Sequence, residues 1–183
     1  KVITALVVVV DHPISQIEPG AQVTVTHDDV SNYARESTDG QSVVPVQLGE
    51  ALTERQLLEG MLIPSGNNFA DILARWDAGS TDAFIAKMNS HAAALGMKQS
   101  HFADASGYSE QTVGTPTELV LAGEALMEVP VLAQIVQQQQ VDLPVAGTTF
   151  NVDYALGSQG IVGIKTGSAP KAGACFLFAA LAT

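Results

Sequence analysis

Two short stretches of this chain hold side chains whose types and spacing could do chemistry. Near the C-terminal end, Gly160-Ile161-Val162-Gly163-Ile164-Lys165-Thr166-Gly167-Ser168 reads as a short buried strand, bounded by glycines and ending in a cation, a hydroxyl and a position without a side chain. A lysine at the end of an apolar strand can neutralise an anion. Thr166 can donate a hydrogen bond to that anion, and Gly167 lets a ligand lie directly against the main chain. An ordinary strand end with a solvated lysine would use the same letters. The second stretch is Ser65-Gly66-Asn67-Asn68, wedged between two apolar helical segments. Ser65 can relay a proton there, and Asn67 can accept from a lysine while donating to a carbonyl. A plain helix–helix turn also favours serine, glycine and asparagine.

These residues must be positioned by the elements around them. The chain opens on Lys1-Val2-Ile3-Thr4-Ala5-Leu6-Val7-Val8-Val9-Val10, with no cap and no polar leader. This reads as the interior of a buried helix ending near His12-Pro13, and it raises the expectation that residues precede Lys1. A loop over 14–21 and a short strand around Val23 and Val25 come next. Residues 27–40 read as polar and irregular, and 41–48 as a short extended piece. Thr53 with Gln56 forms a capping box for a helix whose buried stripe is Leu57, Leu58, Met61 and Leu62, stopping at Pro64. A second helix spans 69–76, and a third spans 83–95, closed by Gly96. Residues 98–108 read as an irregular or hairpin segment over a cleft. Thr115-Pro116-Thr117-Glu118 starts a helix running to about 128, with a shorter one over 131–136. Residues 141–154 and 161–165 are extended, and Gly173 turns the chain into a hairpin partner over 174–182. Helices first and paired strands last make the class α+β with an antiparallel sheet.

Composition excludes several classes. The 183 residues are 46% apolar and only 15% charged, which marks a globular chain with a sizeable core. A formal net charge of −11 argues against nucleic acid, which needs clustered lysine and arginine. Cys175 is the single cysteine, so no intrachain disulfide forms. The longest apolar runs, 5–10 and 174–182, are too short to span a bilayer as helices. His12, His27, His91 and His101 lack close ligand spacing and read as surface or structural, so no metal or other cofactor is expected.

Taken in order, Lys1 in an apolar helix, Ser65-Gly66-Asn67 between helices and Lys165-Thr166-Gly167 on a strand resemble the S-x-x-K, S-D-N and K-T-G motifs of the penicillin-recognising serine enzymes. Between them, Met88-Asn89-Ser90-His91-Ala92-Ala93-Ala94-Leu95-Gly96-Met97 resembles the M-N-x-x-A-x-x-L-G-M helix of D-alanyl-D-alanine carboxypeptidases. Phe102-Ala103-Asp104-Ala105-Ser106-Gly107-Tyr108 is similar to the segment after that helix in the same enzymes. The S-G-N form of the second motif is also that family's. The resemblance implies a β-lactamase/transpeptidase-like α+β fold, with a helical cluster packed on an antiparallel sheet. Residues 1–183 would form one partial catalytic domain, incomplete at both ends. The nucleophilic serine of S-x-x-K would lie three residues before Lys1, outside this chain. The chain alone would then be inactive, and the missing strands would come from another segment or a second chain.

The resemblance also assigns roles. A serine hydroxyl needs an adjacent base. Lys1 would serve in its neutral form, with its pKa lowered by burial and by Lys165. Ser65 would pass the proton to the leaving D-alanine, and Asn67 would hold Lys1 and the substrate amide. Lys165 and Thr166 would bind the terminal carboxylate beside Gly167. The N–H of Ser168 would form half of an oxyanion hole. The implied activity is removal of the terminal D-alanine from peptidoglycan stem peptides outside the cytoplasmic membrane, with β-lactams as inhibitors. A serine β-lactamase and a non-catalytic peptidoglycan-binding module are the alternatives. No glutamate stands in the context of the deacylating acid of class A β-lactamases, which favours the carboxypeptidase.

Overall fold

An uncharged apolar run such as Val2 to Val10 gains most by leaving water, and it forms helix α1 (Val2–Asp11), with Ile3 to Val9 buried. The valines alone would favour a strand. Helical geometry costs each of them at most about 0.7 kcal/mol, whereas burying each contributes roughly 1.5 kcal/mol or more. The surrounding helices therefore decide the conformation. A computed structural model of the chain describes residues 1–169 and 171–181.

Strand β1 (Gln22–Thr24) pairs antiparallel with β2 (Ala51–Thr53), placing Val23 opposite Leu52. Between them residues 27–40, expected to be irregular, contain helix α2 (His27–Thr38). Its start is a capping box: Thr26 Oγ1 accepts from the Asp29 N–H, and the Asp29 carboxylate accepts from the Thr26 N–H at 2.8 Å. Arg75 then docks the helix through two hydrogen bonds to Asp29, at 3.0 and 2.8 Å. Its polar composition conceals such a helix, because a salt bridge and its cap hold it with few apolar side chains. The extended piece expected over 41–48 joins no sheet. Val44 and Val46 are buried there, and the Asn68 amide clamps the Val44 backbone on both its N–H and its carbonyl.

Helix α3 (Glu54–Leu62) begins at the Thr53–Gln56 box, and Leu57, Leu58, Met61 and Leu62 are all buried. Helix α4 (Asn67–Ala78) starts two residues earlier than expected, so Asn67 and Asn68 belong to its first turn. Helix α5 (Thr81–Ala94) ends at Gly96, whose φ is +85°. Helices α6 (Pro116–Met127) and α7 (Pro130–Val136) come after it. Lys87 on α5 bridges Asp11 of α1 and Asp77 of α4 at 2.6 and 2.7 Å.

Residues 141–154 form a hairpin of β3 (Gln140–Leu143) and β4 (Gly147–Phe150) rather than one extended run. The long hairpin is β5 (Ile161–Ala169) with β6 (Gly173–Ala180), pairing Lys165 with Leu177 and Gly167 with Cys175. Ala182, the last residue expected in that hairpin, lies outside the described residues. Among the described residues the sheets are three two-stranded antiparallel ladders beside the helices, an α+β architecture. Helix α6 packs on the long hairpin at Gly123, where a Cβ would stand 3.1 Å from Ile164 Cδ1 and 3.2 Å from Leu177 Cδ1.

A very close helix contact sits under the Ser65–Asn68 stretch. A Cβ on Gly60 of α3 would lie 2.4 Å from Cδ1 and Cε1 of the buried Phe69 ring on α4. Gly66 has a similarly tight place, with the Gly60 carbonyl and Val44 Cγ2 both 2.9 Å from its would-be Cβ. Gly60→Ala should therefore lower stability by about 1–3 kcal/mol through overpacking. Chemical denaturation checks this, and an unchanged midpoint would show that the Phe69 ring can move aside.

Candidate active site

Helix α1 begins immediately after Lys1, so burial of α1 carries the lysine inward with it. Its Nζ donates to Asn67 Oδ1 at 2.5 Å and to the Ser106 carbonyl at 3.3 Å. Asn67 is 3% exposed, and its Nδ2 donates to Gln41 Oε1 at 2.7 Å. An amide nitrogen has two hydrogens, so one N–H of Asn67 has no partner among the described residues. The Asn67 backbone N–H donates to the Ser42 carbonyl at 2.8 Å, which ties the start of α4 to the segment after α2.

The loop that offers the Ser106 carbonyl is pinned from three sides. Asn89 on α5 clamps Phe102, accepting from its N–H at 2.9 Å and donating to its carbonyl at 2.8 Å. Thr4 of α1 donates to the Ala105 carbonyl at 2.6 Å. Glu118 of α6 accepts from the Gln99 N–H and from Ser100 Oγ. The Asn89 of the M-N helix and the loop after it thus act together. A side chain at the centre of one motif holds the backbone of the next.

Electrostatics follow from burial. Desolvation lowers the Lys1 amine to about 8, against the pull of Asp104 and of the adjacent Glu36 and Asp71 carboxyls, whose negative charge favours the ammonium. Lys165 is lowered to about 7, first by burial and then by the charge of Lys1, with Asp153 opposing. The repulsion between the two amines is expressed on Lys165, whereas Lys1, expected to be lowered by Lys165 as well, is lowered by burial. Lys165 Nζ donates to the Thr166 carbonyl at 2.9 Å. Two half-buried lysines with desolvated amines form a site that favours one proton over two, and that favours an incoming anion.

Strand β5 has one strand partner among the described residues, β6, so alternate backbone groups on its other edge are free of a ladder. A Cβ on Gly167 would meet only Cys175 Cβ, at 4.0 Å. The space beside Lys165, Thr166 and Gly167 is therefore open to a ligand. Ser65 sits two residues before Asn67 with φ +67°, a left-handed conformation that costs a non-glycine residue about 1–2 kcal/mol. Its hydroxyl makes no hydrogen bond among the described residues, so Asn67 and Ser106 hold Lys1 without it. The structure thus joins Lys1 to Asn67 by contact and to Lys165 by charge. Thr166, Gly167 and Ser168 follow Lys165 along β5, while Ser65 is near only through its chain connection.

Four contributors had no assignment from the sequence. Asp104 and Ser106 lie inside the F-A-D-A-S-G-Y stretch, so their pattern was visible and their role was not. Asn68 stands beside Asn67 with the opposite task of clamping Val44. Gln41 carried no signal. A cavity of about 720 Å³ opens beside these groups, lined among others by Asn32, Glu36, Gln41, Asp71, Asp104 and Ser106.

A model of the D-alanyl-D-alanine carboxypeptidase family, peptidase S11, matches residues 1–183. The chain is 31% identical over 197 residues to the D-alanyl-D-alanine carboxypeptidase of Streptomyces sp. (strain K15), covering 98% of this chain and 66% of that protein. It is 32% identical over 144 residues to the carboxypeptidase DacA of Escherichia coli (strain K12), covering 73% of this chain and 34% of the relative. The chain therefore spans just under two thirds of one curated relative and a third of the other. Among solved structures, that of the Streptomyces K15 DD-transpeptidase superposes with a TM-score of 0.85 at 30% identity, over 99% of this chain and 73% of that one. Penicillin-binding protein 6B of Escherichia coli shares the fold, with a TM-score of 0.85 at 24% identity, over 99% of this chain and 58% of that one.

Both lysine amines should titrate far below the ordinary ~10.4. Nuclear magnetic resonance of ¹³C-methylated lysines should show midpoints near 8 and 7, assigned with Lys165→Met. A folded-state pKa below the unfolded one means the unfolded chain binds more protons between the two values, so stability rises with pH across that window. Lys165→Met should accordingly stabilise the fold at pH 6, by an amount that shrinks towards pH 10. Midpoints at the ordinary value would contradict the burial.

Proposed function

The chain belongs to the peptidase S11 family of D-alanyl-D-alanine carboxypeptidases, and from that premise we propose that its protein is a serine-type carboxypeptidase. It removes the terminal D-alanine of peptidoglycan stem peptides through an acyl-enzyme, acts outside the cytoplasmic membrane, and is inhibited by β-lactams. The observation that supports this best is the buried Lys1 amine, held on Asn67 with its pKa lowered to about 8 beside a second buried lysine.

The nucleophile in this reading is a serine three residues before Lys1, one helical turn away on the same face. Neutral Lys1 takes the serine proton as Oγ attacks the carbonyl carbon of the D-Ala-D-Ala bond. Negative charge then develops on the carbonyl oxygen, and the backbone N–H groups of Ser168 and of the serine itself receive it. Ser65 relays the proton to the departing amine, and D-alanine leaves. Water then cleaves the ester. Asn67 uses its Oδ1 to orient Lys1 and its unengaged N–H to hold the substrate amide. Lys165 and Thr166 bind the terminal carboxylate that D-Ala-D-Ala and penicillin share, while Gly167 gives it access to the strand.

Two measurements test the reading. Residues 1–183 alone should take up no penicillin by intact mass, whereas the chain extended through the S-x-x-K serine should gain one adduct. An adduct on residues 1–183 would place the nucleophile elsewhere. Lys165→Ala in the extended enzyme should cost about 10- to 150-fold in kcat/KM, since a charge-assisted contact to a carboxylate contributes roughly 1.5–3 kcal/mol. A substrate amidated at its C-terminus should react slowly and barely respond to the substitution. Equal losses on both substrates would remove Lys165 from carboxylate binding.

A further inference from the structure

Of the acidic side chains that line this cavity, three act on Lys1, each from a different element: Glu36 from α2, Asp71 from α4, and Asp104 from the loop before α6. Asp104 is fully served. Ser106 Oγ, Thr112 Oγ1 and the Tyr108 N–H donate to it at 2.6, 2.5 and 2.8 Å. Burial opposes its charge, yet these bonds hold its carboxyl below the ordinary range.

Glu36 and Asp71 are served differently. They lie within hydrogen-bond reach of each other and share one donor, Asn32. Its Nδ2 donates to Asp71 Oδ2 at 2.5 Å and reaches Glu36 Oε1 at 3.5 Å, while Arg35 orients Asn32 by donating to its Oδ1. Glu36 is only 5% exposed, and its Oε2 is buried without a donor among the described residues. A carboxylate oxygen in that position is costly, and two adjacent buried carboxylates repel. One proton between them resolves both problems. It resides on Glu36, because Asp71 has the short bond from Asn32 that favours its charged form. Burial and the neighbouring Asp71 accordingly push Glu36 up to about 8, and burial raises Asp71 as well.

Asp71 stands four residues after Asn67 on α4, so the two side chains share one helix face. We propose that Glu36 and Asp71 form a carboxyl pair holding a single proton, and that its one negative charge, a helical turn from Asn67, is a positioning device for Lys1. The charge stabilises the ammonium formed when Lys1 accepts a proton, and so sets the pH at which the amine is free to act as a base. The other charged groups facing Lys1 are Asp104 from the loop and Lys165 from β5; those facing the pair are Arg35, Asp104 and Lys1. The inference rests on Lys1 being the base of the proposed reaction.

The test is the pH dependence of the second-order acylation rate by benzylpenicillin, measured on the enzyme extended through the S-x-x-K serine. In the wild type the rate should rise with pH through the Lys1 midpoint near 8. Asp71→Asn should move that limb down by on the order of one pH unit, making acylation faster than wild type on the acid side. Asp71→Glu should restore the limb. Glu36→Gln replaces a neutral group by a neutral one below about pH 8, so on the acid side it should shift the limb by less than a third as much. A fixed limb in Asp71→Asn, with the rate lowered at every pH, would reduce the pair to a structural role and overturn the proposal. Equal shifts from Asp71→Asn and Glu36→Gln on the acid side would also overturn it. A wild type that forms no adduct would instead defeat the carboxypeptidase reading.

Discussion

A lysine amine removed from water must find acceptors or give up its proton, and Lys1 is held where both pressures act. Asn67 and the Ser106 carbonyl accept from it, yet burial still lowers its pKa to about 8. Each of those acceptors is itself fixed. Asn67 is braced by Gln41 and Ser42, and Ser106 by a loop that Thr4, Asn89 and Glu118 tie to α1, α5 and α6. Four helices and two loops thus converge on one nitrogen. Loosening any of them would first be felt as a change in how readily that nitrogen holds a proton.

The turn beneath the site depends on close packing. Because Gly60 lets the Phe69 ring lie against α3, α4 begins directly above it, and its first residue points its amide at Lys1. Gly66 fits where a methyl group would strike the Gly60 carbonyl, and Ser65 takes a left-handed conformation to make the connection. Packing and chemistry are therefore the same constraint in this turn. Asn68 extends that constraint outward by holding residues 41–46, which brings Gln41 to Asn67.

Opposed charges complete the arrangement. Burial and the charge of Lys1 raise the cost of protonating Lys165, which prepares the space beside it for an anion. Glu36, Asp71 and Asp104 work in the other direction, limiting how far Lys1 falls. A base needs a pKa near working pH. Neither burial alone nor the acidic groups alone would leave Lys1 there.

Local chemistry determined much of the outline from sequence alone. The Thr53–Gln56 and Thr115–Pro116 starts, the Gly96 stop and the Gly173 turn each depend on residues within one helical turn or hairpin, and each lies where expected. The ordered motifs and the α+β class were legible for the same reason. Helix α2 was not, because beyond its local cap it has few apolar side chains and is docked by Arg75, 46 residues away from Asp29. The valines of α1 are helical because of what packs around them. The carboxyl pair joins residues 36 and 71, and Gln41 meets Asn67 across 26 positions, with no spacing rule to reveal either. Sequence can name the groups able to move a proton. Only the fold decides which of them are dry, which are paired, and hence at what pH each one holds its charge.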